Sequence, residues 1–341
     1  MRSVVIDAPG SIRVDTRPDA GLPGADGAVV AVSATAICGS DLHFYEADFP
    51  IVDPIPLGHE AIGTVVDVGP EVSTVRAGDR VMVSSVAGCG HCAGCATRDP
   101  VRCHSGPQIF GSGALGGAQS ELLAVPGADF QLARIPDGLC DEEALLLTDN
   151  LATGWAAALR ADIPLGGTVA VIGLGAVGLC AARSALFQGA ATVLGVDPVR
   201  QRRERAALMG MTPAEPSATA AAMELTGGRG VDAVIDAVGT DTTMADALTA
   251  VRAGGTVSVV GVHDLQPFPF PALPALLRSA TLRMTTAPVQ QTWPQLVPLL
   301  QSGRLSVDGI FTTEMALDDA AEAYRAVAAR SGDVVKVLLT P

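Results

Sequence analysis

The sequence is short of positive charge, of aromatic side chains and of long apolar runs. Its 22 Lys and Arg stand against 36 Asp and Glu, a formal charge of -14, and Lys336 is the only lysine among 341 residues. A surface so poor in cations repels phosphate backbones and anionic headgroups, so neither nucleic acid nor a membrane surface is an expected partner. Aromatic residues make up 4% although 48% of the chain is hydrophobic. The interior should therefore be built mainly from Ala, Val and Leu. The most apolar stretch, Thr168 to Ala182, is shorter than the roughly 20 residues that cross a bilayer, and Gly173, Gly175 and Gly178 interrupt it. It reads as strand, turn and helix. Met1 to Asp7 has neither the apolar run nor the cleavage site of a signal peptide, and the expected location is the cytoplasm.

What the chain does have is punctuation, with 38 Gly and 23 Pro, and enough length for roughly two domains. Up to about Thr148, Val-rich segments alternate with Gly, Pro and Asp turns; Val29 to Val32, Gly63 to Val68, Arg80 to Ser84 and Ser120 to Val125 read as strands of a β-rich barrel. Beyond Asp149 strands and helices alternate: strands at Thr168 to Ile172, Thr192 to Val196, Ala233 to Asp236 and Thr256 to Val260, helices at Ala176 to Gln188, Arg200 to Met209 and Met244 to Val251. That alternation predicts βαβ units around a parallel sheet. Two amphipathic helices, Thr292 to Gln301 and Leu317 to Ala329, and a strand at Val334 to Leu339 complete the tail. No internal repeat stands out.

Three constellations carry chemistry. Cys89-x2-Cys92-x2-Cys95-x7-Cys103 places four thiols in one Gly-rich loop, which suits a closed, tetrahedral structural zinc site with no position left for substrate. An iron–sulfur cluster, whose usual spacing ends in a shorter gap, and a pair of disulfides are the rivals. His91 and His104 read as solvated neighbours of the loop. The second constellation is dispersed: Cys38 in Cys38-Gly39-Ser40-Asp41-Leu42-His43, His59 in Gly58-His59-Glu60, and Asp149 before Asn150. A thiolate, an imidazole and a carboxylate would leave the fourth position of a zinc ion open. By spacing alone, a core cysteine and a helix-capping Asp explain these residues as well.

The third runs Val169-Ala170-Val171-Ile172-Gly173-Leu174-Gly175-Ala176-Val177-Gly178, a strand entering Gly-x-Gly-x-x-Gly and then a helix. Its glycines allow a tight turn, and Ala176 and Val177 open the helix whose N-terminus can receive a pyrophosphate. Asp197 ends the next strand, where a carboxylate binds ribose hydroxyls and repels a ribose phosphate, favouring NAD over NADP. Arg200, Arg202 and Arg203 follow at once and could pair with such a phosphate, or could form a solvated face balancing Glu204.

Taken in order, Cys38 with Ser40 and His43, the run Gly58-His59-Glu60-x2-Gly63-x-Val65-x2-Val68-Gly69, Gly78-Asp79-Arg80-Val81, the four-cysteine loop and the Gly173 turn resemble the zinc-dependent medium-chain alcohol dehydrogenases over essentially the whole chain. Leu115-Gly116-Gly117-Ala118-Gln119 and the run Leu146 to Trp155 resemble the formaldehyde-dehydrogenase-like branch, in which an Asp at the position of Asp149 is the third ligand of the catalytic zinc. The resemblance implies a two-domain α/β architecture: a GroES-like β-barrel catalytic domain, residues 1–148 completed by 288–341, and a doubly wound Rossmann domain, residues 149–287.

It also implies two zinc ions per chain, NAD with NADP less favoured, an alcohol or aldehyde substrate, and a homo-oligomer, dimer or tetramer. In the implied reaction zinc on Cys38, His59 and Asp149 polarises the alcohol, hydride passes to the nicotinamide, and Ser40 takes the hydroxyl proton and hands it through the cofactor ribose to His43. The bland alternatives are a turn hydroxyl and a surface histidine. Glu60 stands where the family has a carboxylate able to exchange onto the metal. By position, Thr153 falls near the nicotinamide, Arg202 and Val262 along the cofactor, and Lys336 where it reaches the pyrophosphate, although a lone lysine is more often a surface residue. Phe44 to Pro56 and Trp155 are expected near the substrate pocket, Leu265 to Leu277 either between subunits or within the chain, and Cys140 and Cys180 as buried thiols. Within enzymes the alternative is a cofactor-retaining formaldehyde dehydrogenase or aldehyde dismutase; outside them, a non-catalytic NAD-binding paralogue.

Overall fold

The computed structural model describes residues 1–113 and 115–341. They divide into two units, the first made of Met1–Ala152, Ala287–Ala329 and Lys336–Pro341, the second of Thr153–Thr286 and Arg330–Val335. No helix among the described residues is long and apolar enough to cross a membrane.

The main sheet of the first unit runs in the order Leu132–Arg134, Arg80–Val83, Ala61–Val68, Ala28–Ala36, Val337–Thr340, Thr313–Ala316, with Leu122–Val125 paired as a branch to Ala28–Ala36. Ala28–Ala36 is central because its Val and Ala side chains are small enough to be buried almost throughout. It pairs antiparallel with Ala61–Val68 and, through Leu338 and Leu339, with the C-terminal strand. The tail thus belongs to the N-terminal sheet. Val30, Val32, Val65, Val81, Val83, Phe110 and Leu123 form its core, and apolar area of this kind contributes roughly 25 cal/mol per Å² buried. A hairpin of Arg2–Ala8 and Ser11–Thr16, extended by Ile55–Pro56, adds a smaller sheet that the sequence reading did not single out.

The second unit holds six parallel strands in the order Thr212–Ala214, Thr192–Val196, Thr168–Ile172, Val231–Asp236, Val251–Val259, Thr281–Met284. Numbered along the chain this is 3-2-1-4-5-6, the Rossmann arrangement, in which ligands bind where the order reverses, beside Thr168–Ile172 and Val231–Asp236. The continuous β-branched and aliphatic runs explain strands buried on both faces.

Several boundaries differ from expectation. Asp149–Ala152 falls in the first unit, not with the Rossmann strands, because Asp149 and Asn150 bond to groups of the first unit, Ser85 and Glu60. Arg330–Val335 leaves the tail for the second unit: Gly332 lies so close to Val199 and Gln201 that an added Cβ would come within 2.6 Å of the valine. The last strand begins at Val337, not Val334. The helix Ala218–Thr226, capped by Ser217, which accepts from the Ala220 N–H, carries no sequence signal of its own, because its Ala-rich stretch has no apolar period. Cys180 is buried as expected, but Cys140 is exposed, at the N-cap of the helix Asp141–Leu147.

Candidate metal and cofactor sites

The four loop cysteines converge. Cys89, Cys92, Cys95 and Cys103 place their sulfurs within 4.8 Å of one another, and Cys89 and Cys95 are 3.9 Å apart. Ligands about 2.3 Å from a shared tetrahedral ion stand about 3.8 Å from each other, so the loop fits one metal. Backbone N–H groups aim into it: Cys89 N to Cys103 Sγ at 3.3 Å, Cys95 N and His104 N to Cys92 Sγ at 3.4 Å. Those donors lower the Cys92 thiol to about 5, whereas burial pushes Cys95 up to about 12. The loop's N–H groups lower Cys103 as well, whereas the buried Cys95 needs a bound cation to be held as thiolate. His91 and His104 are exposed and outside the cluster.

The second cluster assembles from distant segments of the first unit. Cys38 lies at the end of the Ala28–Ala36 segment, His59 and Glu60 lead into Ala61–Val68, and Asp149 precedes the helix Asn150–Arg160. Their ligand atoms also lie within 4.8 Å of one another. Asp149 Oδ2 is 3.7 Å from Cys38 Sγ and 3.8 Å from His59 Nε2, within about half an ångström of the edges of a tetrahedral zinc site. Sulfur, nitrogen and oxygen donors in this arrangement suit zinc. Glu60 Oε2, fully buried, has no hydrogen-bond partner among the described residues, an open coordination valence beside the other three.

Charges tune these donors. Although burial opposes its protonation, the Asp41 and Asp149 carboxylates raise His59 well above the usual imidazole range. Burial likewise works against the Asp149 carboxylate, yet His59, Lys336 and the Ser85 hydroxyl, 3.0 Å from Oδ1, bring it down to about 2. A proton held on His59 therefore occupies the electrostatic place of a cation, and metal binding at this cluster displaces it.

Lys336 is not where the family position put it. Its ammonium is 1% exposed and donates to Glu60 Oε1 at 2.7 Å and to Ile37 O at 3.2 Å, with the Phe311 ring centroid 5.9 Å away. Burial would lower its pKa, but Glu60, Cys38 and Asp149 raise it, so the lysine stays charged inside the protein. It cannot also reach a pyrophosphate, because a buried ammonium surrounded by anions keeps its partners. Asn150, unremarked in the sequence except as a neighbour, bridges the cluster: Nδ2 donates to Asp149 Oδ2 at 2.7 Å and Glu60 Oε1 at 3.3 Å. Asp41, within the Cys38 to His43 motif, faces His59 Nδ1 at 3.3 Å.

Ser40 is half-buried in the single turn Gly39–Asp41. His43, one turn on, stacks on Phe49 with centroids 5.0 Å apart, and its Nδ1 is 2.8 Å from Asp48 Oδ2. In the second unit Gly173 has φ +87° directly after Thr168–Ile172, and Ala176–Phe187 starts three residues later. A Cβ on Gly178 would sit 1.7 Å from Gly173 O, so only glycine closes this turn. Asp197, 3% exposed, accepts from Leu174 N and Val199 N at 2.8 Å each. Of the three arginines, Arg200 pairs with Glu204, and Arg203 with Glu215 and the carbonyls of Asp197 and Pro198. Arg202 Nη1 stays 3.8 Å from Asp197 Oδ2. Thr153 is 8% exposed and Val262 40%. Trp155, expected near a pocket, is 5% exposed and lies against Phe187 within the second unit, ring centroids 5.7 Å apart.

Known proteins resemble this chain over its whole length. Residues 24–137 match the alcohol dehydrogenase GroES-like domain and residues 176–302 the zinc-binding dehydrogenase family. The chain is 67% identical to the probable zinc-binding alcohol dehydrogenase Rv1895 of Mycobacterium tuberculosis, over 100% of this chain and 89% of that protein. It is 32% identical to an alcohol dehydrogenase of Cupriavidus necator, over 100% and 99%. Among solved structures, alcohol dehydrogenase TADH from Thermus sp. ATN1 superposes with a TM-score of 0.92 at 34% identity, covering 100% of this chain and 99% of that one.

Proposed function

Because the chain belongs to the zinc-binding alcohol dehydrogenases and is a zinc-dependent alcohol oxidoreductase, we propose that it oxidises a small alcohol with NAD, reversibly, at Cys38, His59 and Asp149. The observation that carries this is the convergence of those three donors, with Glu60 beside them, on one buried point of the first unit. When bound, zinc supplies a Lewis acid and NAD a hydride acceptor.

The chain's own residues do the rest. Asp41 holds the Nδ1 side of His59 and leaves Nε2 to the metal; Lys336 and Asn150 occupy Glu60 Oε1 and keep that carboxylate oriented. Ser40 Oγ hydrogen-bonds the substrate hydroxyl and takes its proton, and His43, fixed by Phe49 and Asp48, passes it toward solvent. The Gly173 turn receives the pyrophosphate. Asp197 supports NAD over NADP because its carboxylate ends the second strand of the sheet, where it accepts from ribose hydroxyls and repels a ribose phosphate, while Arg200 and Arg203 are occupied elsewhere.

A cytoplasmic, reducing location fits four thiols used as ligands. Self-association is supported by Leu265, Leu273, Leu276 and Leu277, 63–76% exposed, next to the sheet's edge strand Thr281–Met284. The testing experiment is a screen of alcohols with NAD and with NADP, followed at the absorbance of the reduced nicotinamide. Turnover with NAD, reduced strongly in Ser40→Ala, is the expected result. Turnover with NADP alone, or none with any alcohol, rejects the reading.

A further inference from the structure

Resting on the metal reading of Cys38, His59 and Asp149, we infer that Tyr324 and Gln119 are positioning residues for that metal, acting on the His59 ligand through Asp41. For His59 to offer the Nε2 lone pair, the ring proton must sit on Nδ1, and Nδ1 faces Asp41 Oδ1 at 3.3 Å. Asp41 is itself held at Oδ2, by the Cys38 N–H at 3.0 Å and by Gln119 Nε2 at 3.3 Å. Gln119 can present only its nitrogen there. The same Nε2 donates to Ala36 O at 3.1 Å, so both of its contacts are to oxygens that accept.

Its oxygen is therefore turned the other way, into a buried position that needs a donor. Tyr324 supplies it, from the helix Ala320–Ala328, with its hydroxyl 2.9 Å from Gln119 Oε1 and the whole residue 0% exposed. The space is built for this arrangement: Gly58, next to His59, has φ +93°, and an added Cβ would lie 2.4 Å from Gln119 Cγ. Donors thus run in one order, from Tyr324 to Gln119 to Asp41, and His59 Nδ1 faces Asp41 Oδ1 from the other side. Only one tautomer of His59 completes that order. Tyr324 bonds to Gln119, and Gln119 to Ala36 O and Asp41, so both act on the donor cluster through Asp41.

The test uses the full chain carrying Co2+ at the mixed cluster and zinc in the cysteine loop. Release of each metal to a chromophoric chelator is followed together with the d–d absorption of cobalt. Tyr324→Phe keeps the ring and removes only the donor. It is expected to speed cobalt release about 10–100-fold and to shift the d–d bands, with zinc release from the cysteine loop unchanged. Gln119→Leu, which breaks the order one step closer, should do the same and serves if the tyrosine variant does not fold. Unchanged cobalt release and spectrum in either folded variant overturns the inference, as does equal acceleration of both metals, which would signal general loosening. Failure of the unsubstituted chain to take up any metal at the mixed cluster would instead overturn the site reading itself.

Discussion

Cys89, Cys92, Cys95 and Cys103 come from one short loop, with Cys89 and Cys92 partly open to solvent and Cys95 and Cys103 buried, whereas Cys38, His59, Glu60 and Asp149 come from segments as far as 111 residues apart and sit in the interior. The sulfurs of the loop cluster accept from backbone N–H groups of the same loop. The interior cluster is surrounded by Lys336, Asp41, Asn150 and Ser85, each bonded to a donor. A local cluster depends on its ion to hold its shape; a dispersed one is held by the fold, through charges that must themselves be buried and paired. The first can serve stability, and the second is preorganised for chemistry.

The largest break in that contrast should come from Asp149→Ala. Removing a ligand of a Lewis-acid metal forfeits several kcal/mol of transition-state stabilisation, so kcat/KM should fall about 1,000-fold or more in steady-state assays. Next is Lys336→Met, which strands the fully buried Glu60 carboxylate. Denaturant unfolding should show a loss of about 3–5 kcal/mol, largely recovered when Glu60→Gln is added. Cys92→Ser sharpens the comparison from the other side: the loop should lose its metal, while kcat/KM of the remaining folded protein stays within about twofold, as expected for sites without shared partners.

The smallest effect concerns Asp129, far from either constellation in chemistry. Burial works against its ionised form, but the Ser73 and Thr74 hydroxyls and N–H groups lower it to about 2. Because the folded value lies below the unfolded value of roughly 3.9, its stabilisation is complete above that pH and is lost as the pH falls toward 2. The difference in unfolding free energy between the unsubstituted chain and Asp129→Asn, below about 1 kcal/mol for so exposed a group, should therefore be constant above pH 5 and shrink below pH 4.

Legibility in the sequence followed the same divide. The cysteine loop, the Gly173 turn and the strands Thr168–Ile172 and Thr192–Val196 could be read because each is specified by adjacent residues. The donors Cys38, His59 and Asp149 were legible as residues, through the family resemblance, but not as a geometry. Tyr324 and Gln119, 205 positions apart, and Lys336 and Glu60, 276 apart, meet only once the tail strand joins the first sheet. A signal for Lys336 did exist. It interrupts the apolar run Val334-Val335-Lys336-Val337-Leu338-Leu339, and a charge within such a run needs a buried partner. What could not be read was which carboxylate that partner is.

The central claim, that the interior cluster is a second metal site independent of the cysteine loop, is tested most directly by zinc content per chain in the purified protein and in Cys38→Ala and Cys92→Ser. The account predicts two zinc ions in the unsubstituted chain and one in each variant, with alcohol oxidation surviving only in Cys92→Ser. A single zinc that survives Cys38→Ala and disappears with Cys92→Ser would contradict it.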